Sequence, residues 1–367
     1  MGNLFKAADG GWSHLKFRAK RRLGWLDPLQ VLTYFGFGTA QQVYFRGRVL
    51  EEKGITGACE DDSVWHNFKQ MVRRFFSDEI PGATVEVVFQ GVSQRTKTDH
   101  EGFFETTLTP KRPIDPTKLW HDIRVELIKP KHPQQTRPVL TTGHILIPPE
   151  QAEFGVISDI DDTVVQTTAT SLIKMLRIVM FSNAHTRLPF EGVSNFYQAL
   201  QAGASGNTKN PIFYVSSSPW NLYDLLIDFF RIQNIPAGPL MLQDYGLEPG
   251  QWLYAGHDKH KLAQIERILT TFPGLPFILI GDSGQEDPEI YREVVHQYPG
   301  RILAIYIRDV TLEKRQKAIL TVAEGLREDG VEMVLVKDTH LAMEHAAKNG
   351  FIAGQSTYAV NHNQAEP

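Results

Sequence analysis

The stretch FGVISDIDDTVVQTT, residues 154–168, places Asp159, Asp161 and Asp162 directly behind the apolar run from Phe154 to Ile157. Carboxylates this close repel one another, and each resists losing water, so something must neutralise them. Other apolar runs end in comparable chemistry. Ser216, Ser217 and Ser218 follow 211–215, and Gly281, Asp282, Ser283 and Gly284 follow 276–280, with Asp287 close behind. The string DKHK brings Lys259 and Lys261 to the start of a helical stretch. Clustered hard oxygen donors are what Mg²⁺ requires, with one or two carboxylates completed by waters and a substrate phosphate. A lysine beside them suits a phosphoryl group and keeps a neighbouring aspartate ionised. Hydroxyls and backbone amides at a strand–helix turn can cradle phosphate oxygens. The residues therefore predict Mg²⁺-dependent phosphoryl transfer, with an aspartyl-phosphate as a route open to it. A calcium loop fits poorly, because 159–163 lacks the glycine and the later glutamate of an EF-hand.

The elements that must position these residues are also readable. After residue 153, apolar strand-like runs at 154–157, 211–218, 238–245, 276–284, 301–309 and 331–338 alternate with helical segments at 170–182, 220–233, 261–273, 287–298 and 311–328. Strands apolar throughout, alternating with helices, predict a doubly wound parallel α/β sheet. Ligands of such sheets gather outside the carboxyl ends of the strands. Before residue 150 the texture differs. Runs at 41–50, 83–98, 102–108, 121–128 and 141–148 are rich in Val, Ile, Phe and Thr, which predicts a β-rich, sandwich-like or open-barrel domain. One helical insert is expected over 61–80. The expected organisation is a basic amphipathic segment (1–30), the β-rich domain (31–150), the α/β domain (151–350) and a disordered tail (351–367).

The chain has 367 residues and 42% hydrophobic content, enough to bury sizeable cores. Its net charge of −4 argues against a general nucleic-acid binder. Its single cysteine, Cys59, excludes an internal disulfide and fits a reducing compartment. No apolar run approaches the roughly 20 residues of a membrane-spanning helix, so the expectation is a soluble, cytoplasmic protein. Residues 12–26, WSHLKFRAKRRLGWL, interleave basic with aromatic and aliphatic side chains. They suit a helix peripheral to an anionic membrane. A helix packed on its own domain is the plainer alternative.

The strings SDIDDTV, FYVSSSPWNLYDLL, HKLAQIERIL, FPGLPFILIGDSGQEDPEIY and AIYIRDV, in this order over about residues 154–310, resemble the haloacid dehalogenase-like (HAD) superfamily. Within it they are most similar to the actin-patch-protein-1-type (App1) phosphatidate phosphatases, which are related to the lipin-like enzymes. The resemblance implies a Rossmannoid α/β catalytic domain and a phosphatase acting on phosphatidate at a membrane surface. It implies Asp159 as nucleophile and Asp161 as the acid that protonates the leaving alkoxide and then the base that activates water. Ser216 would bind a phosphoryl oxygen, and Lys261, preferred over Lys259, would balance charge. Mg²⁺ would be held by Asp159, the backbone carbonyl of Asp161, Asp282 and, in support, Asp287. Thr163 would steady the loop, and Arg308 could support the site.

The span 164–210 has room for a flap and one or two helices but not for a large cap, and an open site modestly favours a membrane lipid. Two rivals remain: a phosphatase on a soluble phosphomonoester or phosphoprotein, and a non-catalytic module that binds anionic lipid through the same pocket.

Overall fold

The computed structural model describes residues 25–52, 78–133, 135–160, 163, 192–243, 257–310 and 313–354, together with 17, 20, 22 and 23. The chain divides into two compact units, Met1–Ile147 and Pro148–Pro367. The helical segments expected at 61–80 and 170–182, and the tail, lie mostly or wholly outside the described residues.

The first unit holds eight strands: β1 (Leu29–Thr33), β2 (Gly36–Gly38), β3 (Val43–Glu51), β4 (Thr84–Phe89), β5 (Val92–Lys97), β6 (Phe103–Leu108), β7 (Trp120–Lys129) and β8 (Val139–Leu146). They form one hydrogen-bonded path, β1-β3-β2-β8-β7-β4-β5, with β6 also paired to β3. All the pairings are antiparallel except that of β2 with β8. Strict alternation of burial along β4 sends Val85, Val87 and Phe89 inward, where they join Phe45, Val49, Phe104, Ile123 and Val125. Residues 83–98 are not one strand but the hairpin β4–β5. Gln90 and Gly91 both take positive φ (40° and 79°), the conformation a tight two-residue turn demands. The run is apolar-rich through this Gln-Gly pair, which hid the turn. Phe17 packs on the core of this unit, and Lys20 pairs with buried Glu51 at 3.0 Å and with Asp78. Leu23 and Trp25 remain exposed. The part of the basic segment that is described thus faces its own unit through Phe17 and Lys20.

The second unit is built on six parallel strands: β9 (Gly155–Asp159), β10 (Ile212–Pro219), β11 (Leu240–Gln243), β12 (Phe277–Asp282), β13 (Ile302–Arg308) and β14 (Glu332–Val336). Six α-helices accompany them among the described residues: α1 (Val193–Ala202), α2 (Tyr223–Ile232), α3 (His257–Thr271), α4 (Asp287–Gln297), α5 (Glu313–Glu328) and α6 (Thr339–Lys348). Helices α1 and α6 pack on each other, while α4 packs between α3 and α5. β9 and β12 are buried along their whole length, as strands covered on both faces must be.

The strand order is β11-β10-β9-β12-β13-β14. The chain builds outward from β9 in one direction, then returns to add β12, β13 and β14 on the other side. The order reverses between β9 and β12, and in an open parallel sheet that reversal opens a crevice at the carboxyl ends. Asp159 closes β9 and Asp282 closes β12. The expectation of a parallel, mixed α/β unit behind a β-rich one agrees with the structure. Helices α1 and α6 were not placed from the sequence: α1 falls in the span 164–210, where one or two helices had room, and buries Val193, Phe196, Tyr197 and Leu200 at helical spacing, while α6 buries only Thr339, Ala342 and Ala346, which leave no large apolar stripe.

Candidate active site

Pairing register brings the chemistry together. Asp159 lies opposite Val215 on β10, so Ser216 stands one residue further along the neighbouring strand. Ser158 lies opposite Ile280 on β12, so Gly281 and Asp282 extend past it on the other side. Asp287 enters from the first turn of α4, and Lys261 from α3. Oxygen atoms of Asp159, Asp282 and Asp287 fall within 4.8 Å of one another. All three side chains, and Lys261, are buried.

Lys261 is the cation of the cluster. Its Nζ lies 2.8 Å from Asp159 Oδ1 and also pairs with Asp287 Oδ1. Burial alone would lower its pKa, but the charges of Asp159 and Asp287 outweigh that and hold the ammonium well above its ordinary value. Asp287 uses its second oxygen to accept the backbone N–H of Asp282 at 3.0 Å. Gly281 allows this approach, because a Cβ there would lie 2.4 Å from Asp287 Oδ2. Asp282 Oδ1 accepts N–H bonds from Gly284 (2.6 Å) and Gln285 (2.9 Å), which fold residues 282–285 into a tight loop. Burial, then the charge of Asp287, push the Asp282 carboxyl up to about 7.

Asp159 Oδ2 lies 3.4 Å from Thr163 Oγ1 and 3.5 Å from Gln285 Nε2. Behind it, Ser158 Oγ donates to the Asp159 carbonyl at 2.7 Å and lies 2.6 Å from the hydroxyl of buried Tyr197. Ser216, fully buried, accepts the N–H of Ser218 at 2.9 Å, within the stretch of β10 where its pairing with β11 shifts register between Val215 and Pro219. Arg308 closes β13, and its carbonyl accepts the N–H of Ser283 at 2.9 Å. Asp161 and Asp162 lie outside the described residues, as does the side chain of Lys259.

Three buried carboxylates against one ammonium leave an excess of negative charge. Among the described residues the cluster offers only hard oxygen donors, without imidazole or thiolate. That donor set fits a hard divalent cation such as Mg²⁺ better than it fits Zn²⁺ or copper. The arrangement can hold a divalent cation between β9 and β12 and keep Asp159 ionised beside it. The residue that motif reasoning missed is Gln285. Its Nε2 donates to Asp282 Oδ2 at 3.0 Å and reaches toward Asp159, so it bridges two strand ends. Its place inside GDSGQ was the available signal, since a long amide three residues past a strand-end aspartate can turn back onto it.

This is the kind of site found in enzymes that move phosphoryl groups with a metal's help. Residues 154–309 match the family described as phosphatidate phosphatase APP1, catalytic domain. Phosphatidate phosphatase APP1 of Saccharomyces cerevisiae is 36% identical over 155 residues, covering 42% of this chain and 26% of that protein. An uncharacterized protein of Schizosaccharomyces pombe is 30% identical over 165 residues, covering 43% of this chain and 25% of that protein. The chain thus spans about a quarter of the length of these curated relatives. The App1-type likeness read from the motifs is borne out over this segment. Among solved structures, a carbohydrate acetylesterase from Xanthomonas citri aligns over 81% of this chain and 65% of its own, at 12% identity and a TM-score of 0.26. That likeness is too slight to bear on fold or function.

Proposed function

We propose that this chain is a Mg²⁺-dependent phosphatase that hydrolyses phosphatidate, or a closely related phosphomonoester lipid, through an aspartyl-phosphate on Asp159. On this reading the parallel unit is a haloacid dehalogenase-like catalytic domain that works from the cytoplasmic side of a membrane surface. The observation that carries the proposal is the buried contact of Lys261 with both Asp159 and Asp287, at the sheet's reversal point and beside Asp282. It lies within the segment that is similar to the APP1 catalytic domain. No helix among the described residues is long and apolar enough to cross a membrane.

The residues take these roles. Lys261 keeps Asp159 charged, and the Asp159 carboxylate attacks phosphorus as the ester P–O bond breaks. Asp161 gives its proton to the departing alkoxide, then accepts one from the water that cleaves the acyl phosphate. Ser216 and the backbone N–H groups that follow it donate to phosphoryl oxygens. Asp159, Asp282, Asp287 and the Asp161 carbonyl would hold Mg²⁺, which when bound neutralises charge on the transferring phosphoryl group. Gln285 ties Asp282 to Asp159.

The test is phosphate release from phosphatidate in mixed micelles, with Mg²⁺ and with EDTA, beside a soluble aryl phosphate. The expected result is metal-dependent release from phosphatidate that Asp159→Asn reduces below a few per cent. Release from the aryl phosphate alone would overturn the lipid assignment. Full activity of Asp159→Asn would overturn the nucleophile.

A further inference from the structure

The loop Asp282–Asp287 presents two carboxylates, and a side chain from α5 grips its outer side. Arg315, on α5, places Nη1 and Nη2 each 2.7 Å from the two carboxylate oxygens of Glu289, in the first turn of α4. Nη2 also donates to the carbonyl of Gln285 at 3.0 Å, and Nε lies 3.5 Å from the carbonyl of Ser283. Only a guanidinium can do this, because its planar fork carries five donors. The neighbouring clamp is independent: Ser283 Oγ accepts the N–H of Val310 at 2.9 Å. The loop is therefore pinned to the end of β13 from one direction and to α5 from the other.

We infer that Arg315 is a positioning residue for the metal-binding loop, fixing the separation of Asp282 and Asp287 through Ser283, Gln285 and Glu289. It touches neither carboxylate in the contacts described and lies beyond the 154–309 segment that resembles the APP1 catalytic domain. This inference rests on the reading of the carboxylate cluster as a divalent-cation site. Glu289 is the partner of Arg315, which engages both its oxygens, and it is not among the clustered carboxylates. Outer partners of this kind set metal affinity by orienting the ligands, and their loss costs roughly ten- to a hundredfold in affinity.

The test uses Mn²⁺ as the probe, with free ion followed by electron paramagnetic resonance on the full chain without substrate. Wild type, Arg315→Ala, Arg315→Lys and Glu289→Gln are compared, with Asp282→Asn marking the site and circular dichroism checking the fold. The expected result is a roughly ten- to a hundredfold weaker Mn²⁺ affinity in Arg315→Ala, partial recovery in Arg315→Lys, and a smaller loss in Glu289→Gln. Wild-type affinity in folded Arg315→Ala, while Asp282→Asn binds weakly, overturns the role of Arg315 and leaves the metal site standing. If Arg315→Ala does not fold, wild-type affinity in both Arg315→Lys and Glu289→Gln overturns it equally. Wild-type protein that binds no Mn²⁺, or binding that Asp282→Asn leaves untouched, overturns the metal reading together with the inference.

Discussion

Replacing Asp287 by Asn changes almost no volume and one charge, yet the structure gives the amide no good orientation. One oxygen of Asp287 pairs with the Lys261 ammonium, and the other accepts the Asp282 N–H. Both partners are donors. An Asn side chain has one acceptor and one donor group, so either orientation turns an NH₂ toward a donor. Losing a charge-assisted bond costs about 1.5–3 kcal/mol, and leaving a buried donor unmatched costs about 1–3 more. Breaking a buried ion pair costs roughly 3–5 kcal/mol by the same reasoning. Relief of the repulsion between Asp287 and Asp282 offsets part of this, which leaves roughly 3 kcal/mol. Native-state hydrogen exchange at the amides of Ile157 and Leu279, in the two central strands, reads the opening of this unit directly. With 1.4 kcal/mol per factor of ten, exchange there should accelerate roughly a hundredfold in metal-free protein. Acceleration below about threefold would show that Asp287 is not held as described.

Further outcomes follow from the same geometry. Because Asp282 is raised toward 7 by burial and by Asp287, the folded state holds its proton to higher pH than the unfolded chain does. This group therefore costs metal-free protein stability as pH rises from the ordinary carboxylate range through about 7, and nothing below that range. Thermal melts in EDTA between pH 5 and 8 should fall with pH, and both Asp282→Asn and added Mg²⁺ should flatten the fall. A slope unchanged in Asp282→Asn would locate the titration elsewhere. Gly281→Ala would drive a methyl group to 2.4 Å from Asp287 Oδ2. A destabilisation of about 1–3 kcal/mol is expected from such overpacking, with weakened Mg²⁺ dependence, read by denaturant unfolding and by metal titration. A Gly281→Ala protein with wild-type stability would refute the close approach.

Much of the second unit was legible because its strands are apolar on both faces and end abruptly in polar residues. FILIGD announces a buried strand and its acidic terminus in six letters, and the same holds for GVISD. The pairing of β9 with β12 was not legible, since no local pattern says that the fourth strand returns beside the first. The roles of Gln285 and Arg315 were hidden for a related reason. An amide reaching back three residues and a guanidinium arriving from the next helix are settled by tertiary packing, and neither leaves a periodic trace. In the β-rich unit the turn at Gln90-Gly91 was obscured by its apolar neighbours Phe89 and Val92.

The reversal of strand order also has a consequence for the order of synthesis. Gln285 and Asp159 meet across 126 residues of chain, and every contact between β9 and β12 spans a similar interval. A ribosome that has completed β9, β10 and β11 has released a half-sheet in which β9, buried on both faces of the finished unit, still shows one edge of unpaired backbone groups. Asp159 stands at the end of that edge without Lys261 or Asp282 to face it until α3 and β12 emerge. The nascent chain therefore carries an unpaired strand edge and an uncompensated carboxylate together, for as long as translation of the intervening segment lasts. A slow codon or a nick in that interval would strand both at once.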